Sequence, residues 1–323
     1  MKIKFNREAL QEALSLVSGV VPSRTPKPIL ECVRISSEVD AVTVSATDLE
    51  VGINIQLLQV EIEESGDVVL PADKILSIVR ESTDDIIQFE TEDSAIKIKC
   101  ADSDFTIYGH DVTQFPTVPA GGGEPDFQID LGKLQTGIEL SVFAAAKEST
   151  RYALNGVLWE VGDKIINMVA TDGRRLAKST VHLDTCVADK IPDGRIIVPV
   201  KSMSLLDRLS ASEDAKAEIR IADNQIIITC GQVVISSNLV DGNFPKYEDI
   251  IPSDYENKIT LPTEATLSAV RRAALLATED SKGIKLAINP TDLVFSGRAP
   301  ETGDATVDMK VDYNGQPMEV AFN

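Results

Sequence analysis

The sequence predicts an α+β protein built from repeated domains, each with two helices packed on antiparallel sheets. The first observation is a repeat: residues 68–75 (VVLPADKI) return as 196–203 (IIVPVKSM), and QFP at 114–116 returns as NFP at 243–245. Both spacings agree on a repeat of about 128 residues, which is the size of a domain. The second observation is that apolar residues recur at helical spacing in some segments and alternate with polar residues in others.

Five apolar stripes with the spacing of a helix face predict five helices. Their members are Leu10, Ala13, Leu14 and Val17; Ile75, Leu76 and Val79; Leu134, Ile138 and Phe143; Leu205, Leu206 and Leu209; and Leu267 with Val270. Between them, short runs rich in β-branched residues alternate in polarity and predict strands. These runs are 42–44, 86–89, 96–98, 105–107, 219–221 and 226–228. Each complete repeat is therefore helix, strands, helix, strands.

Two segments rich in glycine, proline and polar residues, 120–125 and 253–257, lie at the repeat boundaries and predict linkers. We therefore expect three domains, at 1–124, 125–253 and 254–323. The third copy is placed by motifs that recur, since TDL at 47–49 returns as TDG at 171–173 and GVL at 156–158 returns as GIK at 283–285. The third domain is expected to be incomplete, because it fills only about 70 of the roughly 128 positions of a repeat.

The composition is typical of a soluble globular protein. Of the 323 residues, 43% are hydrophobic, and no run approaches the ~18 uninterrupted apolar residues of a membrane span, so no membrane partner is expected. The amino terminus lacks the apolar run of a secretory signal, so we expect a cytoplasmic protein. The cysteines show no C-x-x-C spacing, which argues against a zinc site. Cys100 and Cys230 occupy matching positions in the repeat and are expected to pack as small apolar residues.

The formal net charge is −20, so the average surface should repel nucleic acid, because lysine and arginine supply the affinity for phosphate. The basic residues nevertheless concentrate on the predicted helices. They can be ordinary solvated side chains or parts of a surface that binds phosphate. They are Lys74 and Arg80 on the second helix, Lys133 and Lys147 on the third, Lys201 and Arg208 on the fourth, and Arg271 and Arg272 on the fifth. Recurrence at matching positions, as for Lys74 and Lys201, favours one basic helical surface that contacts phosphate.

Little in the chain indicates catalysis. The two histidines, His110 and His182, lie beside no nucleophile or metal ligand in sequence, and no glycine-rich phosphate motif or H-E-x-x-H motif occurs. Carboxylate pairs such as Asp84-Asp85 are too common here to mark acid–base chemistry. We therefore expect a protein that is not an enzyme and uses no cofactor or metal, with a hydrolase that uses catalytic carboxylates as a remote alternative.

Four segments together resemble a known family. They are MKIKF at 1–5, RYALNGV at 151–157, ATDGRRLA at 170–177 and LVDGNFPKY at 239–247. This set resembles the bacterial DNA sliding clamps, the beta subunits of DNA polymerase III, and the resemblance runs along the whole chain. It implies clamp-type domains joined head to tail in a ring of two chains that encircles duplex DNA, with helices lining the hole. The implied function is that of a DNA polymerase processivity factor.

The resemblance also implies partners and the residues that contact them. The partners are double-stranded DNA, bound without sequence preference; a second copy of the chain; and the polymerase III catalytic subunit, the clamp loader and repair polymerases, which bind one pocket through a short linear motif. The DNA-facing residues would be Arg24, Lys74, Arg80, Lys201 and Arg208. The pocket residues would be Arg151, Leu154, Thr171, Gly173, Arg174, Arg175, Leu176, Pro245 and Ile250, and the dimer interface would use Phe105, Ile107, Leu275 and Leu276.

The sequence departs from the family pattern in two places. Asp249 stands where family members can carry a basic residue, so one contact at the rim of the pocket is expected to be lost or reversed. The family closes its pocket with a carboxy-terminal tail rich in methionine and proline, and the sequence stops before such a segment, so weaker peptide binding than in a longer homologue is expected. The main alternative is an interaction scaffold that does not encircle DNA.

Overall fold

The computed structural model describes residues 1–92, 95–147, 152–162, 164–186, 194–210, 212, 214–222, 224–255, 257–278 and 282–323. They form two compact units, Met1–Phe244 and Pro245–Asn323. The α+β class is confirmed, and so are the five predicted helices among the described residues. The three domain ranges taken from the repeat stay a prediction.

The first unit contains four helices and eighteen of the described strands, all paired antiparallel. The helices are α1 (Arg7–Val17), α2 (Ala72–Glu81), α3 (Leu131–Glu139) and α4 (Val200–Asp207). The strands of the first repeat are β1 (Lys2–Asn6), β2 (Cys32–Ser37), β3 (Val42–Thr47), β4 (Val51–Leu57), β5 (Val60–Glu64), β6 (Asp67–Pro71), β7 (Ile86–Glu92), β8 (Ala95–Lys99) and β9 (Asp104–Tyr108). Those of the second are β10 (Phe127–Asp130), β11 (Gly156–Val161), β12 (Ile165–Thr171), β13 (Leu176–His182), β14 (Thr185–Cys186), β15 (Arg195–Pro199), β16 (Lys216–Ala222), β17 (Gln225–Cys230) and β18 (Val233–Asn238).

These strands form three sheets. One has the order β5-β1-β7-β8-β9, and another has the order β13-β12-β11-β15. The third sheet has nine strands in the order β14-β10-β16-β17-β18-β4-β3-β2-β6, so it crosses from the second repeat into the first. The crossing is the pairing of β18 with β4, in which Val233 lies opposite Ile55 and Ile235 opposite Ile53. This continuous ladder explains why two repeats form one compact unit.

The helices begin where the sequence supplies a cap or a proline. The Asn6 side chain accepts the backbone N–H of Ala9 at 3.0 Å, and Asp130 does the same for Lys133 at 2.9 Å, so α1 and α3 start in the same way. A proline directly precedes both α2 and α4. Within each repeat the two helices contact each other, and their buried residues, such as Leu10 and Leu134, join one apolar core.

The third apolar stripe extends further in the sequence than the helix does in the structure. Helix α3 ends at Glu139, so Lys147 does not lie on it, and Phe143 lies in the 3-10 turn Val142–Ala144. The reason is Ser141, whose hydroxyl donates to the Gly137 carbonyl at 2.7 Å and whose N–H bonds the Ile138 carbonyl at 3.1 Å. These bonds tighten the last turn and end the helix, which leaves Phe143 58% exposed.

Three cysteines of the first unit, Cys32, Cys100 and Cys230, pack among apolar residues. Cys32 is buried, and Cys100 and Cys230 are half-buried against the core. Burial raises the pKa of the Cys32 thiol to about 11 and that of the Cys230 thiol to about 12. Both therefore stay protonated near neutral pH, which makes them poor nucleophiles.

The second unit contains helix α5 (Thr263–Ala274) on a sheet of four strands in the order β21-β20-β19-β22. The strands are β19 (Ile284–Ile288), β20 (Asp292–Ala299), β21 (Gly303–Lys310) and β22 (Met318–Phe322). Its core packs Ala269 and Ala273 of the helix on Leu293 and Phe295 of the sheet. Small side chains on the helix let it lie close to β20.

We predict that Gly297→Ala destabilises the second unit by about 2 kcal/mol or more, because overpacking a close contact forces backbone movement. A methyl group on Gly297 would collide with the backbone carbonyl oxygen of Ala273. Amide hydrogen exchange of β19–β22 in increasing urea would measure the loss. Gly132→Ala on α3 is the matched control, since its nearest neighbour would be the Asp130 carboxylate at 3.4 Å and its unit should keep its stability. Unchanged exchange in the Gly297 variant would contradict the prediction.

Candidate nucleic-acid and peptide-binding surfaces

The turn between β12 and β13 brings five of the predicted pocket residues together. The Thr171 hydroxyl donates to the Arg175 carbonyl at 2.7 Å and accepts the Gly173 N–H at 3.0 Å. Asp172 Oδ1 accepts the N–H groups of Arg174 at 2.9 Å and Arg175 at 3.0 Å. Gly173 adopts a φ of 87°, which glycine tolerates without strain. Leu176 follows opposite Thr171 in the ladder.

Asp172 organises this turn, although sequence reasoning did not include it among the site residues. Desolvation acts to raise the pKa of its carboxyl, but the two backbone N–H groups and the Arg175 guanidinium outweigh it and hold the pKa below its usual value. The Arg175 Nε donates to Asp172 Oδ2 at 3.0 Å. The recurrence of Thr-Asp at 47–48 and 171–172 was the signal that could have identified it.

The turn between β3 and β4 of the first repeat has the same hydrogen bonds. The Thr47 hydroxyl donates to the Val51 carbonyl at 2.9 Å and accepts the Leu49 N–H at 3.0 Å. Asp48 Oδ1 accepts the N–H groups of Glu50 at 2.9 Å and Val51 at 2.7 Å. Leu49 takes the place of Gly173 with a φ of 79°. The two turns are therefore structural equivalents, 124 positions apart by 171 − 47.

The second repeat contacts the turn of the first through hydrogen bonds and an ion pair. The Asn238 N–H of β18 donates to the Glu50 carbonyl at 2.9 Å, and its side-chain amide donates to the Leu49 carbonyl at 3.4 Å. The Lys201 ammonium donates to the Val20 carbonyl at 2.7 Å and binds the Asp48 carboxylate in a short ion pair. Lys201, predicted to face DNA, thus has its charge satisfied at the junction of the two repeats.

The equivalent turn of the second repeat keeps its polar groups accessible. Arg174 is exposed, and the Arg175 side chain is 55% exposed while it is bound to Asp172. The Arg175 guanidinium also lies over the Phe143 ring, 5.8 Å from its centroid. Leu154 is buried in the 3-10 turn Tyr152–Asn155, which leads into β11 beside β12.

Three further pocket positions are not part of this cluster. Arg151 lies outside the described residues. Pro245 and Ile250 belong to the second unit, where Pro245 is half-buried and Ile250, in the 3-10 turn Glu248–Ile250, is 66% exposed. Asp249 of the same turn is exposed.

The remaining predicted DNA-facing residues are exposed. They are Arg24 in the loop after α1, Lys74 and Arg80 on α2, and Arg208 directly after α4. Among the described residues no ion pair involves Arg24, Arg80 or Arg208, and Lys74 pairs only with its neighbour Asp73 at 3.2 Å, both being about 70% exposed. An exposed pair of this kind contributes little and can exchange for a phosphate contact.

Lysines on the five-stranded sheet are already neutralised by glutamates of adjacent strands. Lys2 pairs with Glu63 at 2.7 Å, Lys4 with Glu61 at 3.0 Å, and Lys99 with Glu90 at 2.7 Å. The hydrogen bonds from Lys2 and Lys4 hold the pKa of Glu63 below its usual value. These lysines therefore differ from Arg24, Arg80 and Arg208, which lie on or next to the helices without an ion pair among the described residues.

The four predicted interface residues include two exposed apolar side chains. Phe105, 36% exposed, and the half-buried Ile107 lie on β9, which pairs only with β8 among the described residues. In the second unit, Leu275 is 79% exposed directly after α5, and Leu276 is half-buried. An unpaired strand edge that carries apolar side chains is a ready template for another strand.

The described residues contain no group of three or more side chains that could hold a metal ion. Within the same part of the chain, no helix has the length and apolar character needed to span a membrane.

Comparisons with known proteins agree along the chain. Three family models describe the domains of the DNA polymerase III beta subunit. The model of the N-terminal domain matches residues 1–119 of this chain, that of the central domain matches 128–246, and that of the C-terminal domain matches 248–323. The beta sliding clamp of Pseudomonas aeruginosa is 33% identical over 100% of this chain and 88% of its own length. That of Chlamydia muridarum is 30% identical over 100% of this chain and 87% of its own length.

Solved structures give the same result. The sliding clamp of Pseudomonas aeruginosa bound to griselimycin superposes with a TM-score of 0.88 at 33% identity, over 100% of this chain and 87% of that one. The clamp of Bartonella birtlesii bound to griselimycin superposes with a TM-score of 0.89 at 30% identity, over 100% of this chain and 87% of that one. The chain therefore belongs to the family of bacterial DNA sliding clamps, the beta subunits of DNA polymerase III.

Proposed function

We propose that this chain is a DNA polymerase processivity factor that closes into a ring of two copies around duplex DNA. The observation that carries the proposal is the strand pairing between β18 and β4, by which two repeats of one chain join edge to edge. Such a contact is heterologous, because two different edges meet, and repeated heterologous contacts close into rings. Membership of the sliding-clamp family favours this function over a scaffold that does not encircle DNA.

The same pairing supplies a template for the contact between copies. In the first repeat Asp104 lies opposite Lys99, as Val234 lies opposite Thr229 in the second, so β9 is the counterpart of β18. In the second unit Thr306 lies opposite Ser296, as Asn54 lies opposite Ser45, so β21 is the counterpart of β4. Because Val234 pairs with Asn54, Asp104 of one copy should pair with Thr306 of the other. Phe105 and Ile107 would then pack against Leu275 and Leu276 across this contact.

The DNA contact is proposed to use Arg24, Lys74, Arg80 and Arg208. These residues are exposed and lie on or next to the helices, and contacts to phosphate alone do not read bases, so the ring can slide. Lys201 is proposed to stabilise the junction of the repeats instead, because Asp48 and the Val20 carbonyl already satisfy its ammonium.

The peptide pocket is proposed to lie at the open turn of the second repeat. Leu154 and Leu176 would give it an apolar floor, Thr171 and Gly173 would shape it, and Arg174 and Arg175 would donate to the peptide. The family resemblance further assigns Arg151, Pro245 and Ile250 to peptide binding. The polymerase III catalytic subunit, the clamp loader and repair polymerases would bind there in turn through a short linear motif. We propose that the chain acts without catalysis, in the cytoplasm, and that its domains are 1–124, 125–253 and 254–323.

The first test is topological. Protein loaded onto nicked circular DNA by a bacterial clamp loader should stay bound through gel filtration at 0.5 M salt, because a closed ring needs no tight contact to remain on a circle. Cutting the same DNA once after loading should release it within the column time. Release from both forms, or retention on both, would exclude a sliding ring.

The second test separates DNA contacts from the junction. Lys74→Gln and Arg80→Gln should each reduce the salt dependence of binding to a short duplex by about one unit in slope, because each removes one phosphate contact. Fluorescence anisotropy between 20 and about 200 mM salt covers the range where such contacts dominate.

In the anisotropy assay, Lys201→Met should leave the slope of the salt dependence unchanged. In a separate urea titration it should lower the free energy of unfolding by about 1 kcal/mol, since the Asp48 carboxylate loses its ion pair. Asp48→Asn is the matched variant and should reproduce that loss of stability. A smaller salt dependence of DNA binding for Lys201→Met would show that Lys201 contacts DNA and would contradict the prediction.

The third test measures the register between copies. Asp104→Cys combined with Thr306→Cys should form a disulfide-linked dimer under mild oxidation, because directly opposite residues in an antiparallel pair have the Cα separation that a disulfide requires. Asp104→Cys combined with Ala305→Cys is the control, because adjacent residues of a strand point to opposite faces. Non-reducing electrophoresis reads the result. Equal cross-linking in the two variants, or none in either, would contradict the proposed pairing.

A further inference from the structure

The Arg175 side chain is held at two points although much of it is exposed. Its Nε donates to Asp172 at 3.0 Å, and its guanidinium lies 5.8 Å from the centroid of the Phe143 ring. A cation over an aromatic face is attracted by the ring quadrupole. With one edge on a carboxylate and one face on a ring, the guanidinium loses most of its rotational freedom before any ligand arrives.

Phe143 has no evident role in the core. Its side chain is 58% exposed, it is not among the residues of the first unit's apolar core, and the Ser141 bonds end α3 just before it. The short 3-10 turn that carries it contacts β12 and β13, the strands that flank the Asp172 turn. The chain therefore presents an aromatic ring to solvent beside the proposed pocket.

The first repeat has the same turn but lacks the pair formed by Phe143 and Arg175. The helix caps Asn6 and Asp130 and the turn residues Thr47 and Thr171 are both 124 positions apart, so Phe143 corresponds to Gly19 and Arg175 to Val51. Val51 is buried. Gly19 packs closely against the second repeat, since a Cβ there would lie 3.0 Å from the Leu205 side chain. The first turn, which Asn238 and Lys201 contact, lacks this pair. The second turn carries an arginine and an aromatic ring at the two corresponding positions.

We propose that Phe143 is a positioning residue of the peptide pocket. Its ring fixes the Arg175 guanidinium so that the N–H groups not used by Asp172 are aimed at carbonyl or carboxylate oxygens of the bound peptide. Pre-ordering the arginine reduces the entropy lost on binding and so increases the affinity. The inference rests on the proposed peptide-binding function of this turn.

A double-mutant cycle tests it with a fluorescently labelled hexapeptide that ends in leucine and phenylalanine, titrated by anisotropy. Phe143→Leu keeps an apolar side chain and should weaken binding about 2- to 5-fold, as expected for an exposed cation–ring contact. Phe143→Tyr should restore the affinity of the unchanged protein. In an Arg175→Gln background, Phe143→Leu should have no further effect, because the group that it positions is gone.

Leu140→Ala is the matched control, since Leu140 is also exposed, at 56%, and lies at the end of the same helix. It should bind the peptide as the unchanged protein does. An equal loss from Phe143→Leu with and without Arg175, or no rescue by tyrosine, would overturn the positioning role. If the unchanged protein fails to bind the peptide at all, the proposed pocket is wrong and the inference falls with it.

Discussion

The backbone pairing of β18 with β4 is the contact on which the rest of the first unit depends. It joins two sheets of separate repeats into one of nine strands, and it uses obligatory backbone donors and acceptors, which would be costly to bury unpaired. Side chains then tighten the same junction, since Lys201 binds Asp48 and Asn238 donates to the first Thr-Asp turn. Because the pairing is edge to edge between unlike strands, it is also a model for how further copies can be added, which is the physical requirement of a closed ring.

One local structure serves two purposes in this chain. Both Thr-Asp turns close with the same four hydrogen bonds. The first is bound by Asn238 and Lys201 of the second repeat and becomes part of a junction, and Val51 and Gly19 suit a packed contact. The second is left accessible, and Arg174, Arg175 and Phe143 suit recognition of a ligand.

The charge distribution reconciles a strongly acidic chain with a DNA-binding role. Lysines on the five-stranded sheet meet glutamates across the strands, so their charge is neutralised locally. Arg24, Arg80 and Arg208 have no ion pair among the described residues, and Lys74 has only an exposed neighbour. Net charge describes the long-range field, whereas phosphate contacts depend on which cations are accessible at short range. Exposed cations that make weak, exchangeable phosphate contacts are what a sliding contact requires.

The sequence by itself determined the kinds of element and their repetition, because apolar periodicity and capping residues act within a few positions of the chain. The five helices and the strands could be predicted in this way, the repeat came from segments that recur, and the family came from the resemblance of four segments to sliding clamps. Tertiary structure decided what equivalent residues do. Lys74 and Lys201 follow matching prolines, yet Lys201 is held by Asp48, 153 positions away in sequence. Phe143 fits an apolar stripe, yet the Ser141 bonds end the helix before it. Thr47 and Thr171 begin the same turn, and only the packing of the repeats determines that Lys201 and Asn238 bind the first one. Such outcomes depend on contacts between residues far apart in the chain, which local patterns do not encode.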